Sequence, residues 1–159
     1  MTTPEAASPR IDWQTFYEAI PEFATGNASI AHAITKSGLE KDLIEMIKLR
    51  VSQINSCAFC VQYHLNEARK LGVAPEKLDL IAAWREAGVF SAREAAALEW
   101  TERITLQAAA HIGDDAFARV SAHFSQRELV FLTTAIGQIN FWNRIAAPFR
   151  FAPPVPRSA

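Results

Sequence analysis

Apolar side chains recur at three- and four-residue intervals along most of this chain, and strict two-residue alternation of β-branched residues is rare. That period stacks the apolar positions on one face of successive helices. The clearest run extends from Leu39 to about Gln53. In it Leu39, Leu43, Met46, Ile47 and Arg50 recur around one side, with Glu40, Lys41, Asp42 and Lys48 elsewhere. Ile54-Asn55-Ser56 interrupts the pattern. Asn55 or Ser56 is placed to cap a second helix from Cys57 to Leu71, and Gly72 follows its far end. Upstream, a short helix from Ile11 to Ile20 stops at Pro21, which can open the next, from Glu22 to Ser37, ended by Gly38.

Downstream, Pro75 to about Ala83 reads as a helical piece, and Trp84 to Phe90 as its connection onward. Ser91-Ala92-Arg93-Glu94 has the spacing of a capping box and starts a helix reaching about Ala109. Asp114 or Asp115 starts a short helix to Ser121. Ser125-Gln126-Arg127-Glu128 repeats the box ahead of a helix through about Ala147, where Pro148 ends regular structure. The pattern therefore predicts an all-α fold. Residues 1–10 read as a flexible arm, 11–150 as one helical domain, and 151–159 as a proline-rich flexible tail.

Composition narrows the function. The chain has 159 residues, 50% of them hydrophobic, enough for one domain with a sizeable core. A formal net charge of −1 supplies no basic field for nucleic acid, and no apolar run is long enough to span a bilayer. The polar, proline-bearing start Met1-Thr2-Thr3-Pro4 does not resemble an export segment, so a cytoplasmic location is the expectation. No glycine-rich segment has phosphate-cradling spacing, which leaves a flavin or nicotinamide cofactor unsupported.

The chemistry concentrates around the two cysteines, Cys57 and Cys60, which form a C-x-x-C at a predicted helix start. Such a pair cycles between dithiol and disulfide, and unpaired N–H groups at a helix start favour a thiolate. Position alone favours Cys57 as the more activated thiol. His64 lies one turn beyond Cys60 on the same face, and could accept and return the thiol proton. Glu45, on the preceding helix, can orient His64 if the Ile54-to-Ser56 turn folds the two helices together. Two other readings compete with redox chemistry. The cysteines could be structural, or the two thiols, His64 and Glu45 could form a mixed metal shell, though three ligands on one short helix do not readily close a tetrahedron.

At these residues the chain resembles the carboxymuconolactone decarboxylase and alkylhydroperoxidase AhpD-like family. The AhpD-type pattern is Glu, eleven residues, Cys, two residues, Cys, three residues, His, and here Glu45, Cys57, Cys60 and His64 keep every interval. The similarity runs from about Ile11 to Arg150 and includes Val51-Ser52-Gln53-Ile54-Asn55, Glu67-Ala68-Arg69-Lys70-Leu71-Gly72, Ala83-Trp84-Arg85 and Asn140-Phe141-Trp142-Asn143-Arg144. The resemblance implies an AhpD-like helical fold with its active site on a helical hairpin. It implies thiol-dependent reduction of hydrogen peroxide or organic hydroperoxides, without a bound cofactor. Cys60 would be peroxidatic, Cys57 resolving, and Glu45 with His64 the proton relay. An external thiol or dithiol protein would be the electron donor. A homo-oligomer is implied as well, a dimer-based trimer or hexamer among the assemblies. One departure stands out: well-characterised AhpD members have histidine immediately before the second cysteine, whereas this chain has Phe59. The alternatives are a decarboxylase-like enzyme acting on a small cyclic acid through His64 and Glu45, and a non-catalytic redox-sensing oligomer.

The remaining polar and aromatic residues receive plainer roles. His32, His111 and His123 read as surface or cap residues, and Tyr63 as packing or a pocket wall. Trp84, Trp100 and Trp142 read as interhelical packing. Asn140 and Asn143 read as structural amides, since buried amides require partners. Arg50 and Arg144 are expected to pair with acids.

Overall fold

In the computed structural model, which describes residues 8–156, the chain forms nine α-helices and one 3-10 turn, with no strand among the described residues. They are α1 (Trp13–Ala19), α2 (Pro21–Thr35), α3 (Lys41–Ile54), α4 (Ala58–Lys70), α5 (Pro75–Leu80), a 3-10 turn (Ile81–Ala83), α6 (Trp84–Ala87), α7 (Ala92–Thr105), α8 (Asp114–Ser121) and α9 (Gln126–Phe149). Both capping boxes form as expected: the Ser91 and Ser125 hydroxyls accept from the N–H of Glu94 and Glu128, whose carboxylates return to the serine N–H groups.

The architecture is organised around α3. Its apolar stripe packs on α4, α7 and α9, so Ile47, Val51, Leu98, Leu132 and Ile136 meet in a fully buried centre. The α3–α4 pair is a hairpin closed by Asn55, Ser56 and Cys57. Ser56 turns the chain through a positive φ of 53°, and the Cys57 N–H bonds back to the Ser52 carbonyl at 3.0 Å. A serine in that left-handed conformation carries a steric cost, which the helices on either side hold in place.

Several boundaries differ from the sequence pattern for identifiable reasons. Cys57 is itself the N-cap of α4, where Asn55 or Ser56 was the expected cap, and its sulfur accepts from the Cys60 N–H at 3.4 Å. The segment expected as a connector from Trp84 contains α6. Helix α7 stops at Thr105, short of Ala109, because Leu106 to Ala110 are exposed and gain no burial from continuing. Helix α9 runs through Pro148 into Phe149, then closes where Arg150 takes a left-handed φ of 55° and the Phe151 N–H reaches the Ala146 carbonyl. A proline in the last turn forfeits only one intrahelical bond.

The first and last described segments lie against the helical body. The Arg10 N–H bonds to the Phe149 carbonyl at 2.9 Å, Phe151 is buried among aromatic rings, and the Pro154 carbonyl accepts from the Asn66 amide at 2.9 Å. The expected arm and tail extend to residues 1–7 and 157–159, which lie outside the described residues. No helix among the described residues is long and apolar enough to cross a membrane.

Candidate active site

The turn that ends α3 brings Glu45 and His64 together across the hairpin. His64 Nδ1 lies 2.7 Å from Glu45 Oε2, and Lys48 Nζ lies 3.6 Å from the other carboxylate oxygen. Glu45 and Lys48 are one turn apart on α3, and His64 projects from the middle of α4. Burial pushes the His64 imidazole below its ordinary value, against the opposing pull of the Glu45 carboxylate. Burial pushes Glu45 the other way, but the hydrogen bond and charge of His64, with Lys48, outweigh it and leave Glu45 below the ordinary carboxylate range. A neutral imidazole beside an ionised carboxylate donates from Nδ1, which leaves Nε2 as a proton acceptor.

Both cysteines are free thiols and both are buried, Cys57 completely and Cys60 with 3% exposure. Their acidities are opposite. A hydrogen bond from the Cys60 side chain, the Cys60 and Phe59 N–H groups at the helix start, and the Asn143 amide together overcome burial and lower Cys57 to about 7. Cys60 is pushed up, first because it donates that bond and then by burial and the neighbouring Cys57 charge. The first proton therefore leaves the pair with the anion held at the helix start, as position along α4 suggested. Access runs the other way: Cys60 lines a cavity of about 540 Å³, and Cys57 does not.

That cavity gathers residues from five helices. His64, Tyr63 and Phe59 come with Cys60 from α4, Lys48 from α3, Trp13 and Tyr17 from α1, Asn27 from α2, and Gln138 and Trp142 from α9. All four sequence candidates, Glu45, Cys57, Cys60 and His64, sit on the one hairpin. No hydrogen bond joins His64 directly to either sulfur among the described residues, and His64 and Cys60 both line the cavity.

Asn140 and Asn143 prove to be network amides. The Asn55 amide donates to both of their carbonyl oxygens at 2.9 Å, and Asn143 donates to the Ser52 hydroxyl at 3.3 Å. Asn143 has a second effect, drawing both thiols toward lower pKa. Trp142 is a cavity wall as well as packing. Lys48, Trp13, Tyr17, Asn27 and Gln138 were not singled out by the sequence. Lys48 had a signal, one helical turn after Glu45. The others come from distant segments whose convergence has no local mark. His111, His123 and His32 are exposed. Among the described residues, no group of three or more His, Cys, Asp or Glu side chains is placed to hold a metal ion.

Comparison with known proteins agrees with this geometry. The profile of the carboxymuconolactone decarboxylase family matches residues 21–103. The Bacillus subtilis protein YdfG, itself uncharacterised, is 37% identical over 132 residues, covering 83% of this chain and 90% of the relative. A crystal structure of a protein of unknown function from Agrobacterium tumefaciens, provisionally named an AhpD antioxidant-defence protein, superposes with a TM-score of 0.87. It is 42% identical and the match covers 94% of this chain and 100% of the other. An uncharacterised peroxidase-related protein from Silicibacter shares the fold at a TM-score of 0.77 and 24% identity, over 87% of this chain and 74% of its own. The chain belongs to the carboxymuconolactone decarboxylase family, within its AhpD-like group.

Proposed function

We propose that this protein is a thiol peroxidase that reduces hydroperoxides through Cys60 and Cys57, with His64 and Glu45 as proton relay. The observation that carries the reading is the meeting of a cavity-lining thiol, a second thiol poised at a helix start, and a carboxylate-backed imidazole at one cavity. Acidity resides in Cys57 and access in Cys60. A proton shift along the hydrogen bond between them reconciles the two, turning the buried Cys57 anion into a Cys60 thiolate that faces the cavity. That thiolate attacks the terminal peroxide oxygen, the O–O bond breaks, and Cys60 becomes a sulfenic acid as an alkoxide leaves. His64, protonated only transiently across the cavity, passes to the alkoxide a proton equivalent to the one the pair released. Cys57 then attacks the Cys60 sulfur, releasing water and forming the disulfide. The balance is one hydroperoxide and two thiols to one alcohol, one water and one disulfide. An external dithiol protein in a cytoplasmic setting reopens the disulfide by exchange. The exposed apolar side chains Ile30, Phe117, Val130 and Phe141 support homo-oligomeric assembly.

The test is stoichiometric. Fully reduced, metal-free protein mixed with excess peroxide is expected to consume one equivalent rapidly and to lose two hydrogen masses as Cys57 and Cys60 join. Both thiols remaining reduced after extended incubation would defeat the assignment and turn attention to small cyclic acids.

The relay makes a separate prediction. Glu45→Gln leaves an amide beside His64 that no longer favours the Nδ1–H tautomer or an imidazolium formed during turnover. Single-turnover peroxide reduction is expected to slow by about 10²-fold or more. In the native protein His64 is neutral at neutral pH because its pKa is depressed. The acid limb of the rate profile attributable to His64 therefore lies below 6.5, its ordinary value. A Glu45→Gln rate equal to the native one would remove Glu45 from the relay.

A further inference from the structure

The cavity is far larger than a hydroperoxyl group requires. Its volume of about 540 Å³ exceeds many times the roughly 30 Å³ that one water molecule occupies in the liquid. One part of its wall is aromatic. The Trp13 ring stands 5.4 Å from Phe59 at 29° and 5.4 Å from Trp142 at 17°, so rings from α1, α4 and α9 lie nearly parallel. Phe59 is held in turn by the edge of Phe151 at 5.6 Å. Hydrogen peroxide gains nothing from such a wall, whereas a flat apolar ring matches it face to face.

One polar feature is fixed within this wall. Trp142 Nε1 and Gln138 Nε2 both donate to Asn27 at 3.0 Å. An indole nitrogen can only donate, so the Asn27 atom receiving it is the oxygen. The Asn27 NH2 group has no hydrogen-bond partner among the described residues, and Asn27 lines the cavity. The site therefore pairs an aromatic wall with an oriented hydrogen-bond donor, and Lys48 adds a cation at the same cavity.

We propose that the substrate is an aralkyl hydroperoxide, with an aromatic ring on the carbon that bears the hydroperoxyl group. Its ring lies against the Trp13, Phe59 and Trp142 wall, its hydroperoxyl end meets Cys60 and His64, and the Asn27 amide donates to its oxygen atoms. This rests on the thiol peroxidase reading and narrows its substrate. The step keeps the same balance: aralkyl hydroperoxide and two thiols give aralkyl alcohol, water and the Cys57–Cys60 disulfide. Phe59 acquires a role by the same argument. Where the AhpD pattern carries a histidine, this chain places a ring that selects substrate.

The experiment uses full-length protein with a small dithiol as reductant and compares kcat/KM for cumene hydroperoxide, tert-butyl hydroperoxide and hydrogen peroxide. The aralkyl compound is expected to exceed tert-butyl hydroperoxide by about tenfold or more. Phe59→Leu, which keeps an apolar side chain without a ring face, and Trp13→Leu are expected to lower that ratio about threefold or more. Because the ratio is taken within each variant, loss of folded protein does not imitate the effect. Binding is read separately, as saturable quenching of tryptophan fluorescence in reduced protein by 2-phenylpropan-2-ol, the aralkyl alcohol product. Equal kcat/KM for all three peroxides, or no saturable quenching, would overturn the aralkyl assignment and leave the peroxidase reading standing. Failure to consume any of the three would overturn the peroxidase reading, and this proposal with it.

Discussion

Substituting serine for Cys60 is expected to lower peroxide consumption by the reduced protein at least about 10³-fold. Cys57→Ser should behave differently, giving one reduction per subunit and then stopping. Cys60 lines the cavity while Cys57 is wholly buried, so only Cys60 can meet a peroxide without local opening. A serine hydroxyl at position 60 is neither ionised near neutral pH nor a comparable nucleophile. Without Cys57, the sulfenic acid on Cys60 has no neighbouring thiol to resolve it, and it should be trapped as a stable adduct by dimedone. The pH dependence adds a check. The pair releases its first proton at about 7, held mainly by the bond between the two sulfurs. Native consumption should therefore rise with pH through that region, as the reactive anion forms. Retained turnover in Cys60→Ser would assign the attack to Cys57 and require the α4 start to open during catalysis.

The candidate site was legible because its parts obey local rules. Glu45, Cys60 and His64 fall on two adjacent helices and Cys57 in the three-residue turn that joins them, and helical periodicity is enough to put Glu45 and His64 on facing sides. The proline and glycine boundaries and both capping boxes were equally local, which is why most of the helices could be placed. What escaped was decided by tertiary packing. That Cys57 caps α4 with its own sulfur depends on the φ of Ser56, which the residue types do not dictate. The α6 segment forms where Trp84 and Arg85 reach Glu102, on a helix that begins eight residues after Trp84. The cavity wall joins Trp13 to Trp142, positions 129 residues apart, and only the packing of α1 against α9 makes them neighbours. Phe59 illustrates the limit. Its difference from the AhpD pattern was visible at once, but as a missing base, because the partners that make it a ring in a stack were not.

The largest stability effect is expected at Glu102, away from the thiols. The residue is 8% exposed and its carboxylate is held from three directions. Arg50 Nε donates to Oε1 at 2.8 Å and Trp84 Nε1 to the same oxygen at 3.0 Å, while Arg85 reaches Oε2 at 2.6 Å. The cluster pins α6 and α7 to α3, the helix that carries Glu45. Glu102→Ala leaves the Arg50 guanidinium, mostly buried, without its counter-charge, and a loss of about 3–5 kcal/mol is expected. Arg85→Ala should cost far less, about 0–1 kcal/mol, because its side chain is 55% exposed and water replaces the partner. Burial pushes the Glu102 carboxyl up, but its bonds to Trp84, Arg50 and Arg85 prevail and leave it below its ordinary 4.5. A carboxyl with a lowered folded-state pKa stabilises the fold above the unfolded value and loses that contribution as pH falls through the folded one. The gap between native and Glu102→Ala proteins in urea unfolding should therefore be widest near neutral pH and shrink once the pH drops below 4.5. A gap that stayed constant across that range would locate the loss in packing rather than in charge. Should Glu102→Ala lower stability no more than Arg85→Ala does, the cluster would be an exposed ion pair in energetic terms, and the anchoring of α7 to the hairpin would have to lie in its apolar face alone.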